Sequence, residues 1–320
     1  MLIIKFIVIS TIIYYTESTV YDITTSSSNW QSILSNLKPG DIAIMHQGTY
    51  TTSGSGYFQL TLNGQLTQPI IIQGAPNEAR PIIENPNSSP DAQNILNIQG
   101  SNFMLKHLAF TKGSRGIRIG PAATFNAIFD DLYIFDTATT AFAANDPGNE
   151  YYNITLRNTE IKTTNTFGGF RPGFQVKPGS YNVMIRNNAC YKVAGPCILV
   201  YDDYNRGRNF IVGYQIYNNA VNGPIDASGI QSTGTFNVER NVFFDPNKMD
   251  LYPAVGSPLI NAGVHIDSQL VTYDFNGKSR SNSKPSVGAY EYSTEVNPGC
   301  KINSSFKCGS STAITTNYSV

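Results

Sequence analysis

Six short segments of this 320-residue chain align on one pattern: LKHLAF (105–110), FDDLYI (129–134), LRNTEI (156–161), IRNNAC (185–190), IYNNAV (216–221) and ERNVFF (239–244). Their third positions are His107, Asp131, Asn158, Asn187, Asn218 and Asn241, at intervals of 24, 27, 29, 31 and 23 residues. A second alternating run follows most of them: GIRIG (116–120), AFAAN (141–145), GFQVK (173–177) and CILVY (197–201). A unit this short cannot bury its own apolar face, whereas stacked units share one continuous core. The pattern therefore predicts an all-β solenoid whose strands pair in parallel with the coils above and below. The third-position column falls at a sharp corner. Asn tolerates the left-handed conformation such corners need, and its amide can satisfy backbone groups and bond the next Asn in the stack. The column is thus expected to be architecture, with His107 a structural hydrogen-bonding residue rather than a base.

Both ends suit a stack that must be closed. In SNWQSILSNLKPGD (28–41), Ser28 and Gln31 stand at capping-box spacing, and Trp30, Ile33, Leu34 and Leu37 mark one helical face. This predicts a short N-terminal helix, about 28–38, that covers the open end of the core. Residues 1–18 read as a secretory signal: an apolar run, LIIKFIVISTII, too short and poorly flanked for a membrane span, then small or polar residues at Thr16 and Ser18. The expected organisation is a signal at 1–18, one domain at 19–292 with coils over about 40–245 and a closing segment at 253–292, and a Ser/Thr/Asn-rich tail at 293–320. Four cysteines suit an oxidising compartment. The short loops favour Cys190–Cys197 and Cys300–Cys308 among the three possible pairings. Sequons at Asn87, Asn153, Asn303 and Asn317 agree with a secreted, extracellular glycoprotein.

The repeat resembles the right-handed parallel β-helix family, the pectate-lyase-like fold, over roughly residues 40–245. GDIAIMHQGTY…QPIIIQGAPNEARPIIE (40–84) looks like the first coils of secreted polysaccharide lyases of the chondroitinase-B and alginate-lyase type. PAVGSPLINAG (253–263) with YDFNGKSRSNSKPSVGAYEY (273–292) is similar to the closing segment of secreted β-helix proteins. The resemblance implies a right-handed parallel β-helix and an acidic polysaccharide as partner. It is specific for the fold and not for any activity.

Chemistry on such a stack sits on outward columns. Alternation in the second strand set places Ile117, Ile119, Phe142, Phe174, Val176, Cys197 and Leu199 inward. The outward columns are then Arg118, Ala143, Gln175, Ile198 and Gly120, Asn145, Lys177, Val200. A column with a strand spacing of about 4.8 Å can follow a linear sugar polymer. Between Arg157 and Arg208 the chain carries eight basic residues against three acidic ones, a bias able to focus an acidic substrate if it forms one patch.

A uronate lyase needs a cation to neutralise the carboxylate, a base to take the adjacent C–H proton, and an acid at the leaving oxygen. Lys177 is the candidate base, with Arg171 and Tyr204 beside it. Arg118, Asn145, Gln175, Arg206 and Arg208 are candidate substrate contacts. Asp202 and Asp203 are candidate calcium ligands, since calcium takes oxygen donors. Chondroitinase-B-like enzymes precede the lysine with acidic calcium ligands and carry an arginine one coil later. Here FRPGFQV precedes Lys177 and CILVYDD forms the next coil, with neither feature. A divergent lyase and a non-catalytic glycan-binding or structural β-helix both fit. Hydrolysis by paired carboxylates ranks lower: Asp202, Asp203 and Asp226 are the acids at hand, and none of the three histidines lies in a Gly-His-Gly run. The equal numbers of acidic and basic residues, 22 each, argue against a nucleic-acid binder. No membrane association is expected after signal removal, and a monomer is expected.

Overall fold

The structure is a computed structural model. It describes residues 18–144 apart from Ser55 and Pro90, residues 151–162, most of 172–201, and from there to 294 separate stretches of strand and loop. Among the described residues the strands form two parallel sheets, one of fourteen strands and one of eight. An isolated antiparallel bridge joins Gln65 and Gln68.

Each complete coil runs the same way. A strand such as Ile117–Asp130 turns a corner at Asn126 in mid-course, turns again at Asp131, and continues into the third strand Tyr133–Phe135. Alternation sends every second residue inward, and the parallel register stacks like positions. Phe103, Ala127, Ile154 and Val183 make one inward file, and Leu105, Phe129, Leu156 and Ile185 the next. Ile83, Phe110, Ile134, Ile161 and Cys190 make the file of the smaller sheet. All of these are at most 4% exposed. Phe103 meets Phe129 edge-on at 5.9 Å, and Phe129 meets Phe142 at 5.0 Å, so neighbouring coils interdigitate.

The left-handed corners fall where expected. His107, Asp131, Asn158 and Asn187 have φ of 55, 55, 50 and 53°. Asn218 and Asn241 lie outside the described residues. The amide ladder, however, sits one residue later. Asn188 and Asn219, both fully buried, bond each other at 3.0 Å, and their Nδ2 groups donate to the Leu156 and Ile185 carbonyls. Asn188 Oδ1 accepts the Thr159 N–H at 2.9 Å, and Asn219 Oδ1 accepts the Asn188 N–H at 3.0 Å. In these later coils the third-position residue supplies the backbone conformation, and the asparagine after it points inward to satisfy the turn.

The helix is shorter than expected, Trp30–Ser35, and its N-cap is Asn29 with no side-chain cap bond. Ser28 and Gln31 do not form a capping box: Gln31 Oε1 instead accepts the Ser53 N–H at 3.3 Å. Trp30 packs edge-on against Tyr50 and Phe58 at 5.7 and 5.4 Å, so burial rather than capping holds this one-and-a-half-turn element.

Cys190 and Cys197 form a disulfide with Cα atoms 5.8 Å apart, and both are fully buried. Gly173 beside it could not carry a side chain: a Cβ would stand 2.9 Å from the Cys197 carbonyl oxygen and 3.0 Å from Cys190 Sγ. Cys300 and Cys308 lie outside the described residues. In the closing segment, the buried Asp274 accepts the Lys278 and Glu291 N–H groups at 2.7 Å each. Glu291 accepts the Ser286 N–H at 2.9 Å, and Arg280 donates to the Ser286 carbonyl at 2.9 Å. Burial lowers the Arg280 pKa and raises that of Glu291.

Candidate functional site

Arg118 and Gln175 fall in one outward row of the large sheet. The register runs Asn97, Arg118, Ala143, Gln175, Leu199, Asp226. Arg118 and Gln175 are two strands apart, about 10 Å, with the fully buried Ala143 between them. Both are half-buried on strand interiors, so sheet hydrogen bonds hold their backbones in place. A row of this kind can offer a guanidinium and an amide to successive units of one linear chain.

Ile198 and Val200 do not face outward as alternation counted from Cys197 implies. Ile198 pairs with Phe174 and Val200 with Val176, so both point inward, and Leu199 stands in the Gln175 row. The strand begins at Ile198, and Cys197 is buried because the disulfide draws it in, not because it is a strand position. A slip of one residue exchanges the two faces of a strand.

Asn145, Arg171, Lys177, Asp202, Asp203, Tyr204, Arg206 and Arg208 lie outside the described residues. The structure therefore brings together Arg118 and Gln175 from the expected set. Two cations of the basic stretch are used structurally rather than displayed. Arg157 donates to Asp130 at 2.9 Å, and Arg186 is 2% exposed. No cluster of three or more His, Cys, Asp or Glu side chains suited to a metal occurs among the described residues.

His107 is a corner residue. Its Nδ1 lies 2.7 Å from Asp131 Oδ2 and its Nε2 lies 3.1 Å from the Glu78 carbonyl, while Arg80 pairs with the same Asp131. All three side chains are at most 3% exposed, which removes them from any solvent-borne substrate. His46 is different. It is partly exposed between Glu78 at 2.9 Å and Asp22 at 3.5 Å, and the hydrogen bond to Glu78 raises its pKa.

A second outward surface escaped the sequence pattern. Asn102, Asn126, Asn153 and Asn182 all adopt left-handed φ near 50°. They form an amide ladder, each Nδ2 donating to the preceding Oδ1 at 2.9, 2.9 and 3.3 Å, with Asn102 donating to the Gly64 carbonyl at 3.1 Å. Phe125, Tyr152 and Tyr181, one position earlier, stack face to face at 4.9 and 4.8 Å. The signal was present in the sequence, since each of these asparagines precedes a corner residue by five positions. Two residues beyond the ladder, Ile71, Met104, Ile128 and Thr155 stand in register as the floor of a groove.

No protein-family model matches the chain, and no curated protein matches it. Solved structures do. A crystal structure of an alginate lyase from Paenibacillus sp. str. FPU-7 is 19% identical, with a TM-score of 0.53 over 66% of this chain and 70% of that one. A GH136 lacto-N-biosidase from Eubacterium ramulus is 14% identical, with a TM-score of 0.43 over 57% of this chain and 43% of that one. A rhamnogalacturonan lyase is 15% identical, with a TM-score of 0.42 over 87% and 97%. The last two scores are too low to carry weight, and the identity of the first is too low to transfer a residue. What is shared is the fold: an all-β solenoid of parallel strands like that of the Paenibacillus alginate lyase structure.

Proposed function

We propose that this is a secreted, carbohydrate-active β-helix protein that binds an acidic linear glycan along the Arg118–Gln175 row and cleaves it by β-elimination. The observation that carries the proposal is that row: a cation and an amide in strand register, two coils apart, both half-buried among buried row neighbours. The fold shared with an alginate lyase structure supports the same class of substrate. Arg118 neutralises a uronate carboxylate, and Gln175 donates to a hydroxyl or carboxylate of a neighbouring unit.

Lys177 follows directly on the strand that carries Gln175 and is the proposed base. It removes the proton on the carbon next to the carboxylate, that electron pair forms the new carbon–carbon double bond, and the glycosidic oxygen leaves with a proton. Tyr204 is the proposed donor of that proton, and Arg171 assists Arg118 with the carboxylate. Asn145, Arg206 and Arg208 extend the contacts along the chain. Asp202 and Asp203 are the proposed ligands for calcium, which would supply further neutralisation of the carboxylate. The protein acts as a monomer outside the cell, after loss of residues 1–18.

Incubation of the purified protein with alginate, pectate and chondroitin sulfate tests this, with and without calcium, by the ultraviolet absorbance of unsaturated uronate products. A rise with one polymer is the expected outcome; none with any polymer rejects the lyase. A non-catalytic glycan binder is the second reading. The plainness of the row favours it, since Ala143 and Leu199 occupy positions where a lyase would place charge.

A further inference from the structure

The groove beside the second amide ladder has no part in the row just described. It opens on the outward face of a different stretch of each coil, past the left-handed corner at Asn102, Asn126 and Asn153. Its floor is Ile71, Met104, Ile128 and Thr155, one residue per coil, all half-buried. The Gln65–Gln68 turn closes one end, with Leu66, 81% exposed, and Pro69 as its wall. The groove holds about 360 Å³ of open space, and none of the described residues that line it is charged.

We propose that this groove is a second saccharide site, for an uncharged linear glycan lying along the solenoid axis. Three features select that ligand. First, contacts repeat once per coil, about 4.8 Å. That suits a polymer with one pyranose per repeat and not an extended peptide, whose side chains recur on one face at about twice 3.3 Å. Second, Asn102 and Asn126 each use one N–H and one lone pair on their neighbours, leaving one donor and one acceptor in each of these coils for hydroxyls. Third, aliphatic side chains with an uncharged rim suit the C–H faces of neutral sugars, whereas a uronate would lose its hydration without gaining a cation.

The test uses full-length protein from a bacterial periplasm, where the Asn153 sequon stays unmodified. Calorimetric titration with cellohexaose, xylohexaose and mannohexaose gives saturable binding of at least one. Ile128→Asp places a charge on the half-buried floor and weakens that binding about tenfold. Leu66→Ser, at an exposed turn tip that cannot unfold the stack, weakens it to a smaller degree. Product formation from uronates is unchanged in both, which separates this site from the Arg118–Gln175 row. Three results would overturn the proposal: no binding of any neutral hexasaccharide; binding unaltered in both variants; or a concentration-dependent dimer abolished by Ile128→Asp with no glycan bound, which would assign the groove to a second copy of this chain.

Discussion

The corner between the large and small sheets is built in two ways along one stack. In the early coils it is ionic, with Arg80 and His107 converging on a fully buried Asp131. In the later coils it is neutral, with Asn188 and Asn219 bonding each other and the backbone. The backbone requirement is common to both: a left-handed residue and partners for the groups it exposes. Different side chains meet it, so a histidine and an aspartate in this column say nothing of catalysis. The Arg118–Gln175 row contrasts with both. Arg118 and Gln175 stand half-buried in strand interiors, away from the left-handed corners. Buried polarity here serves the fold, and outward polarity is where chemistry can sit.

Variants sharpen that division, taken from the largest expected effect to the smallest. Lys177→Ala lowers uronate turnover by at least about 100-fold, the scale of a lost general base, with an unchanged melting temperature. Retained turnover would remove Lys177 as the base. Asp131→Ala removes the carboxylate that pairs with buried Arg80 and costs about 3–5 kcal/mol. Chemical denaturation measures it, and a loss under about 1 kcal/mol would mean that the ionic corner is dispensable. Asn188→Leu strips the buried Thr159 N–H of its acceptor and costs about 1–3 kcal/mol. Asn187→Gly should be tolerated in the same assay, because Asn187 contributes a left-handed φ that glycine adopts freely.

Arg118→Ala lowers affinity for an oligouronate about tenfold, the scale of one charge-assisted contact. The smallest effect belongs to His46. Its pKa is raised above 6.5 in the folded protein, so its contribution is complete at lower pH and is lost as pH rises through the folded value. The melting-temperature gap between wild type and His46→Gln should therefore narrow above pH 6.5. A gap that widens with pH would reverse the assignment.

Much of this was legible in the chain. The period, the inward files and the left-handed third positions follow from alternation and from the few residues that accept such corners. The partners of each corner did not follow. Nothing local tells that Gln31 reaches Ser53, or that Asn188 rather than Asn187 faces inward, because the amide's direction depends on the coil against which it stacks. The exchange of faces at Ile198–Val200 has the same origin. Cys197 mimics an inward strand residue, and the register with Phe174 and Val176 settles where the strand starts.

By itself the sequence determined a stack. Units of two to three dozen residues, each with apolar alternation, can bury their faces only against copies of themselves, whatever their other residues are. The tertiary structure decided which polar residues share a surface. Arg118 and Gln175, separated by a whole intervening coil, become neighbours across Ala143, and Ile71, Met104, Ile128 and Thr155 become one floor. The physical reason is register: parallel pairing between coils of unequal length is set by loops and corners that vary from turn to turn, and a shift of one residue turns a surface into a core.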